Sequence, residues 1–148
     1  MAASAFSTFK NAKLALGDKN IDLGAGVYRL VLVKSGATLL STGTSATTWA
    51  SLKTDGVTEV TEAGGYSSSG ESLVSPTWAL SGLNGKFDAT DWSLSVTADL
   101  SLVKACLIRA SASDRIIFYS SLSTSGFDVS SGNKLTITFN SAGIVTLS

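Results

Sequence analysis

The sequence predicts an all-β chain of one domain: a sandwich, jelly roll or barrel of six to nine short strands. Three observations carry that expectation. Apolar residues recur with period two in short runs, and clusters of Gly, Ser, Asn and Asp separate the runs at roughly even spacing. No internal repeat, heptad pattern or linker-like break divides the 148 residues, a length that buries one core without metal or disulfide staples.

The elements follow in order. Ala12, Leu14 and Leu16 alternate with Asn11, Lys13 and Ala15, which predicts a strand ending at the turn Gly17-Asp18-Lys19-Asn20. Beyond Gly24-Ala25-Gly26, residues 27–33 are almost continuously apolar and β-branched, as in a strand covered on both faces. Residues 45–53 place Thr or Ser ahead of Trp49-Ala50-Ser51-Leu52 and predict a single helical turn on a long connection. Turns are expected at Gly64-Gly65, residues 81–85, 111–114 and 130–133. Trp92, Leu94 and Val96 alternate with polar neighbours, and residues 102–108 and 115–122 read as further strands. In residues 134–140, Leu135, Ile137 and Phe139 share one face and Thr136 and Thr138 the other. Ser141-Ala142-Gly143 then predicts a closing hairpin into residues 144–147.

Composition narrows the chemistry. Eleven basic and 11 acidic groups cancel, which argues against a nucleic-acid module. No histidine is present, which removes the commonest acid–base group and the most versatile metal ligand. Residues 1–10 lack an apolar stretch after a basic start, and no stretch is long and apolar enough for a spanning helix, so an intracellular chain without membrane contact is expected.

Candidate sites amount to little. Asp88 and Asp91 are the best carboxylate pair for calcium or hydrolysis, but on a strand a spacing of three puts them on opposite faces, and turn chemistry is the stronger reading. Glu59, Glu62 and Glu71 flank a Gly-rich loop and read as solvated. Trp49, Trp78, Trp92 and Tyr66 suit a sandwich core or subunit contact better than a sugar platform. Cys106, in the run Ala105-Cys106-Leu107-Ile108, reads as a buried, inert thiol. The two glycines at 24 and 26 precede a strand rather than a helix, so no pyrophosphate cradle is expected, and no Gly-x-Ser-x-Gly elbow occurs. No catalytic residue, metal or cofactor is assigned.

Several segments, taken in order, resemble small structural proteins of tailed-bacteriophage heads. Glu59-Val60 precedes Gly64-Gly65-Tyr66 and then Gly70-Glu71-Ser72-Leu73. Lys86-Phe87-Asp88-Ala89-Thr90-Asp91-Trp92-Ser93, Lys104-Ala105-Cys106-Leu107-Ile108 and residues 140–147 follow, and Phe9-Lys10 through Leu23 also fits. Ser68-Ser69 stands where the pattern has a second glycine or a small-Gly pair, and residues 35–54 match nothing in it. The resemblance implies a capsid cement or decoration protein: a jelly-roll-like domain on the exterior of the virion, assembled in the host cytoplasm. Its partner would be a major capsid protein forming an HK97-like shell.

On that reading residues 1–8 are a flexible N-terminal arm and 9–148 the β-sandwich domain. The arm carries Phe6 and ends beside Phe9; these two, with Trp49, Tyr66 and Trp78, are the candidate interface residues. Zero net charge favours self-association, so a homodimer or higher oligomer is expected. The alternatives are a phage tail or head–tail connector component and, from a different class, a carbohydrate-binding β-sandwich module.

Overall fold

The computed structural model describes residues 5–42 and 45–147. In chain order the elements are β1 (Ser7–Thr8), α1 (Lys10–Gly17), β2 (Tyr28–Val33), α2 (Ala37–Thr42), α3 (Trp49–Thr54), β3 (Glu71–Ser72), β4 (Thr77–Ser81), β5 (Asn84–Asp88), β6 (Trp92–Ser95), β7 (Leu100–Val103), β8 (Ala105–Ala110), β9 (Ile116–Ser121), β10 (Phe127–Val129), β11 (Lys134–Ile137) and β12 (Val145–Leu147). The chain is all-β in class, and every strand pair is antiparallel. Among the described residues, twelve strands stand where the sequence predicts six to nine, and three short helices where it predicts at most one.

A five-stranded sheet, ordered β1-β9-β8-β2-β3, forms the centre. β2 pairs with β8 along its whole length, from Tyr28 opposite Ala110 to Val33 opposite Ala105. Leu30, Val31, Leu32 and Val33 are all buried, as are residues 105–108 on β8. Both faces of this sheet are therefore covered, which is why residues 27–33 carry no alternation. The three-stranded sheet β12-β5-β4 packs on one face through Phe87, whose ring lies 5.2 Å from Tyr28 and 5.5 Å from Phe118. β6 and β11 pair separately and bury Trp92, Leu94, Leu135 and Ile137, while β7 and β10 form a further ribbon.

Four sequence expectations need correction. Residues 10–17 are helix, not strand. Phe9, Ala12 and Ala15 are buried at a spacing of three while Leu14 is exposed, the periodicity of a helix face. The run 102–108 is two strands. Leu102 takes a positive φ of 59°, and Lys104 crosses to the central sheet, where its N–H donates to the Val33 carbonyl at 3.0 Å. The C-terminal turn exists, with Gly143 N–H donating to Asn140 O at 2.7 Å, but it makes no hairpin. β11 pairs with β6 and β12 with β5, because the turn hands the chain from one sheet to the next. Finally, Ser7 and Thr8, assigned to the arm, pair with Tyr119 and Phe118 as an edge strand. Residues 1–4 of that arm lie outside the described residues.

The expected helical turn is α3. Thr48 and Ser51 form a reciprocal capping box, and Asp114, in the β8–β9 turn, accepts from Ala50 N–H at 3.0 Å. Among the described residues no helix is long and apolar enough to cross a membrane.

Candidate interaction surface

The polar groups of the molecule gather around the loop between Glu59 and Glu71. Successive backbone amides of Ser67, Ser68 and Ser69 donate to Glu71, Glu62 and Glu59 at 2.8, 3.3 and 2.6 Å. On the carbonyl side, Arg109 Nε donates to Ser69 O and Arg29 Nη1 to Gly70 O, both at 3.0 Å. Arg29 and Arg109 are direct cross-strand partners, an arrangement of like charges that is unfavourable alone. The two carbonyls and the Asp114 carboxylate, 2.6 Å from Arg109, offset it. The three glutamates are thus not merely solvated, as the sequence suggests; they converge on backbone amides. Pairing of Glu71 with Leu30 and bridging of Glu59 to Val33 tie both ends of the loop to β2 and set up that convergence.

Tyr66 locks the loop to the sheet. Its hydroxyl accepts from Leu32 N–H at 3.0 Å and donates to Glu59 at 2.9 Å. Burial, with the Glu59 charge adding to it, pushes the phenol well above its ordinary ionisation range. Gly70 has φ +87°, and a Cβ there would stand 2.5 Å from the Leu30 carbonyl, so only glycine closes the turn this tightly.

The five candidate interface residues separate. Phe9, Trp49 and Tyr66 are buried: Phe9 against Tyr119, Trp49 in α3 beneath its own Lys53, Tyr66 under the loop. They present no surface, because the helices and loop that carry them close over the central sheet. Phe6 is half-buried against Phe139, at the mouth of a cleft of about 460 Å³ that Thr138 and Ile144 also line. Trp78 remains accessible, at 37% exposure. It borders a second hollow, of about 390 Å³, with Leu16, Ile21, Leu23, Lys19 and Asp22.

Asp88 takes the local turn role expected of it, whereas Asp91 caps the backbone of a segment 48 residues away. Asp88 accepts from Ala89 N–H and pairs with Lys86, both at 2.9 Å, and Asp91 accepts from Phe139 N–H at 2.9 Å. Cys106 is wholly buried, and burial pushes its thiol up to about 12. Among the described residues no group of three His, Cys, Asp or Glu side chains is placed to hold a metal ion.

What sequence reasoning missed is the β4–β5 hairpin. Every residue of β4 is exposed. Leu80 is 82% and Leu83 101% exposed, and Val74, just before the strand, 59%. The register explains the geometry. Phe87 anchors the hairpin in the core directly opposite Trp78, while Leu80 lies two residues further out on the same face, opposite Gly85, whose other side is bordered by Leu147 of β12. The Trp78 indole lies over Gly85, close enough that a Cβ there would fall 2.5 Å from the ring. Residues 72–85 carry no charge at all, the one signal that marks this segment in the sequence. β4 is also an edge strand, and edges are ordinarily blunted by charge, proline or a cover. Here Pro76 precedes the strand, and no described strand pairs with its outer edge.

No family model, no curated protein and no solved structure matches the chain.

Proposed function

We propose that this chain is a virion structural protein, a capsid cement protein that binds the major capsid protein lattice and stabilises a phage head. The observation that carries the reading is the pairing of a densely pinned β body with one uncharged segment, residues 72–85, that bares Val74, Trp78, Leu80 and Leu83. A projecting apolar surface on a small chain marks an interaction site, and this one is built for adhesion to another protein surface rather than for a soluble ion. The order of segments resembling phage-head structural proteins, from Glu59-Val60 to the C-terminal turn, supports the same role. A cement protein works through many modest contacts repeated over a lattice, where avidity raises retention by about 10²–10⁴ over one contact.

The test is to add the chain to shells lacking it and image them by cryogenic microscopy. Regular density over the outer surface, with heat resistance restored, is the expected result. Density confined to one vertex or along a tail would replace this reading with a connector or tail role, and absence of binding would overturn it. Trp78 beside Asp22 and Lys19 gives the carbohydrate-binding alternative its one specific foothold. Quenching of tryptophan fluorescence by glycans, lost in Trp78→Ala, would establish that alternative instead.

A further inference from the structure

We infer that the free edge of β4 pairs with β4 of a second copy of this chain, antiparallel about a two-fold axis through Ala79. The inference rests on the adhesive reading of the hairpin and gives its backbone edge to a second copy, so that pairing of neighbouring copies adds avidity to their hold on a shell; its test needs no shell, so the two fail separately.

Backbone geometry comes first. Gly82, at φ +65°, and Leu83 make a two-residue turn that sets Ser81 opposite Asn84. Counting back from that hydrogen-bonded pair, strand alternation turns the N–H and C=O of Thr77, Ala79 and Ser81 toward β5. The N–H and C=O of Trp78 and Leu80 point to the open edge. A two-fold axis at Ala79 brings Trp78 of one copy opposite Leu80 of the other. Each such pair exchanges two hydrogen bonds, and the axis generates two pairs. Pro76, with no N–H to donate, ends the ladder one step beyond.

Side chains agree with that register. Trp78 and Leu80 lie on one face of β4, so the pairing sets position 78 directly opposite the partner copy's Leu80 on that face, with the indole itself leaning back over Gly85. Leu80, the most exposed large apolar residue within the strand, thereby gains an apolar neighbour. Leu83, in the turn, and Val74, ahead of the strand, lie beyond the paired residues and stay at the two ends of the joint. Charge permits it. Residues 72–85 are uncharged, so a two-fold that sets like beside like incurs no repulsion. The segment supplies fewer than the roughly 20–30 residues a side of a standard stable interface, which points to association at roughly micromolar concentration. That strength suits a joint between copies already held near one another.

The experiment combines crosslinking with charge swapping on the full chain. Ala79 is exposed and faces its own copy across the axis at a Cα separation of about 4.5 Å, within disulfide reach. Ala79→Cys should crosslink to a dimer under mild oxidation at least tenfold faster than Ser81→Cys, with the buried Cys106 silent in both. In sedimentation, Ala79→Lys and Ala79→Glu should each weaken dimerisation at least tenfold, and an equimolar mixture of the two should restore it. A parent chain that stays monomeric at 100 µM, equal crosslinking of the two cysteine variants, or charge variants that dimerise like the parent would each overturn the inference.

Discussion

The loop from Glu59 to Glu71 and the hairpin from Thr77 to Asp88 both turn on positive-φ glycines, yet they are finished in opposite ways. In the loop, three consecutive amides meet three carboxylates, two carbonyls meet two guanidinium groups, and a buried phenol ties the assembly to β2. In the hairpin β5 is held by Phe87 and by β12, while the far edge of β4 is open and Leu80 and Leu83 are bare. The loop's hydrogen-bonding capacity is consumed within the molecule, so it stabilises the body. The hairpin's capacity and apolar area are left over, so it is available to a partner.

Substitutions separate the two regions. The largest loss is expected where the hairpin joins the body: Phe87→Ala removes a wholly buried ring that contacts Tyr28 and Phe118 and should cost about 3–5 kcal/mol in chemical denaturation. Gly70→Ala should follow at about 2–4 kcal/mol, from a positive φ and a contact with the Leu30 carbonyl. Tyr66→Phe leaves the Leu32 amide buried without its acceptor and should cost about 1–3 kcal/mol. At the other extreme, Leu83→Ala at the tip should change stability by less than about 0.5 kcal/mol. If Leu83→Ala destabilised as much as Tyr66→Phe, the hairpin tip would be part of the folded body and the contrast would collapse.

Alkaline pH probes the pinned side alone. Tyr66 is raised, Tyr28 is pushed from 10.0 up to about 12, and Cys106 from 9.0 up to about 12, each chiefly by burial. A group whose folded value lies above its unfolded one gives stability that is intact below the unfolded value and is lost as pH climbs toward the folded value. The melting temperature should therefore hold to about pH 9 and fall between about pH 9 and 12. Tyr66→Phe should flatten part of that fall. A melting temperature level to pH 12 would show that these groups titrate alike folded and unfolded.

Periodicity made much of the fold legible. Residues 92–96 and 135–139 alternate in burial as their patterns require, and residues 28–33 are covered on both faces. The helix at 10–17 was illegible because Ala and Leu at even positions fit period two, while the buried set Phe9, Ala12 and Ala15 is chosen by packing on β9. The partner of β11 was illegible for a different reason. A turn at Asn140–Gly143 is local, but which sheet receives the chain afterwards depends on Phe87 and Gly85 some 60 residues earlier. The same limit applied to the surface. Trp78 was identifiable as an aromatic of interest, whereas burial of Trp49, Tyr66 and Phe9 followed from tertiary cover that no local pattern encodes. Leu83 falls in a turn that the sequence marks and Leu80 in no element it marks, and their exposure follows from the unpaired edge of β4.

One measurement bears on the central division between a pinned body and an adhesive edge: retention on shells lacking the chain, after dilution, for Ala79→Glu beside the parent, at matched folded stability. Loss of pairing at β4 should lower the retained fraction at least tenfold while the denaturation midpoint stays put. Retention equal to the parent's would contradict the account and move adhesion to some other face of the molecule.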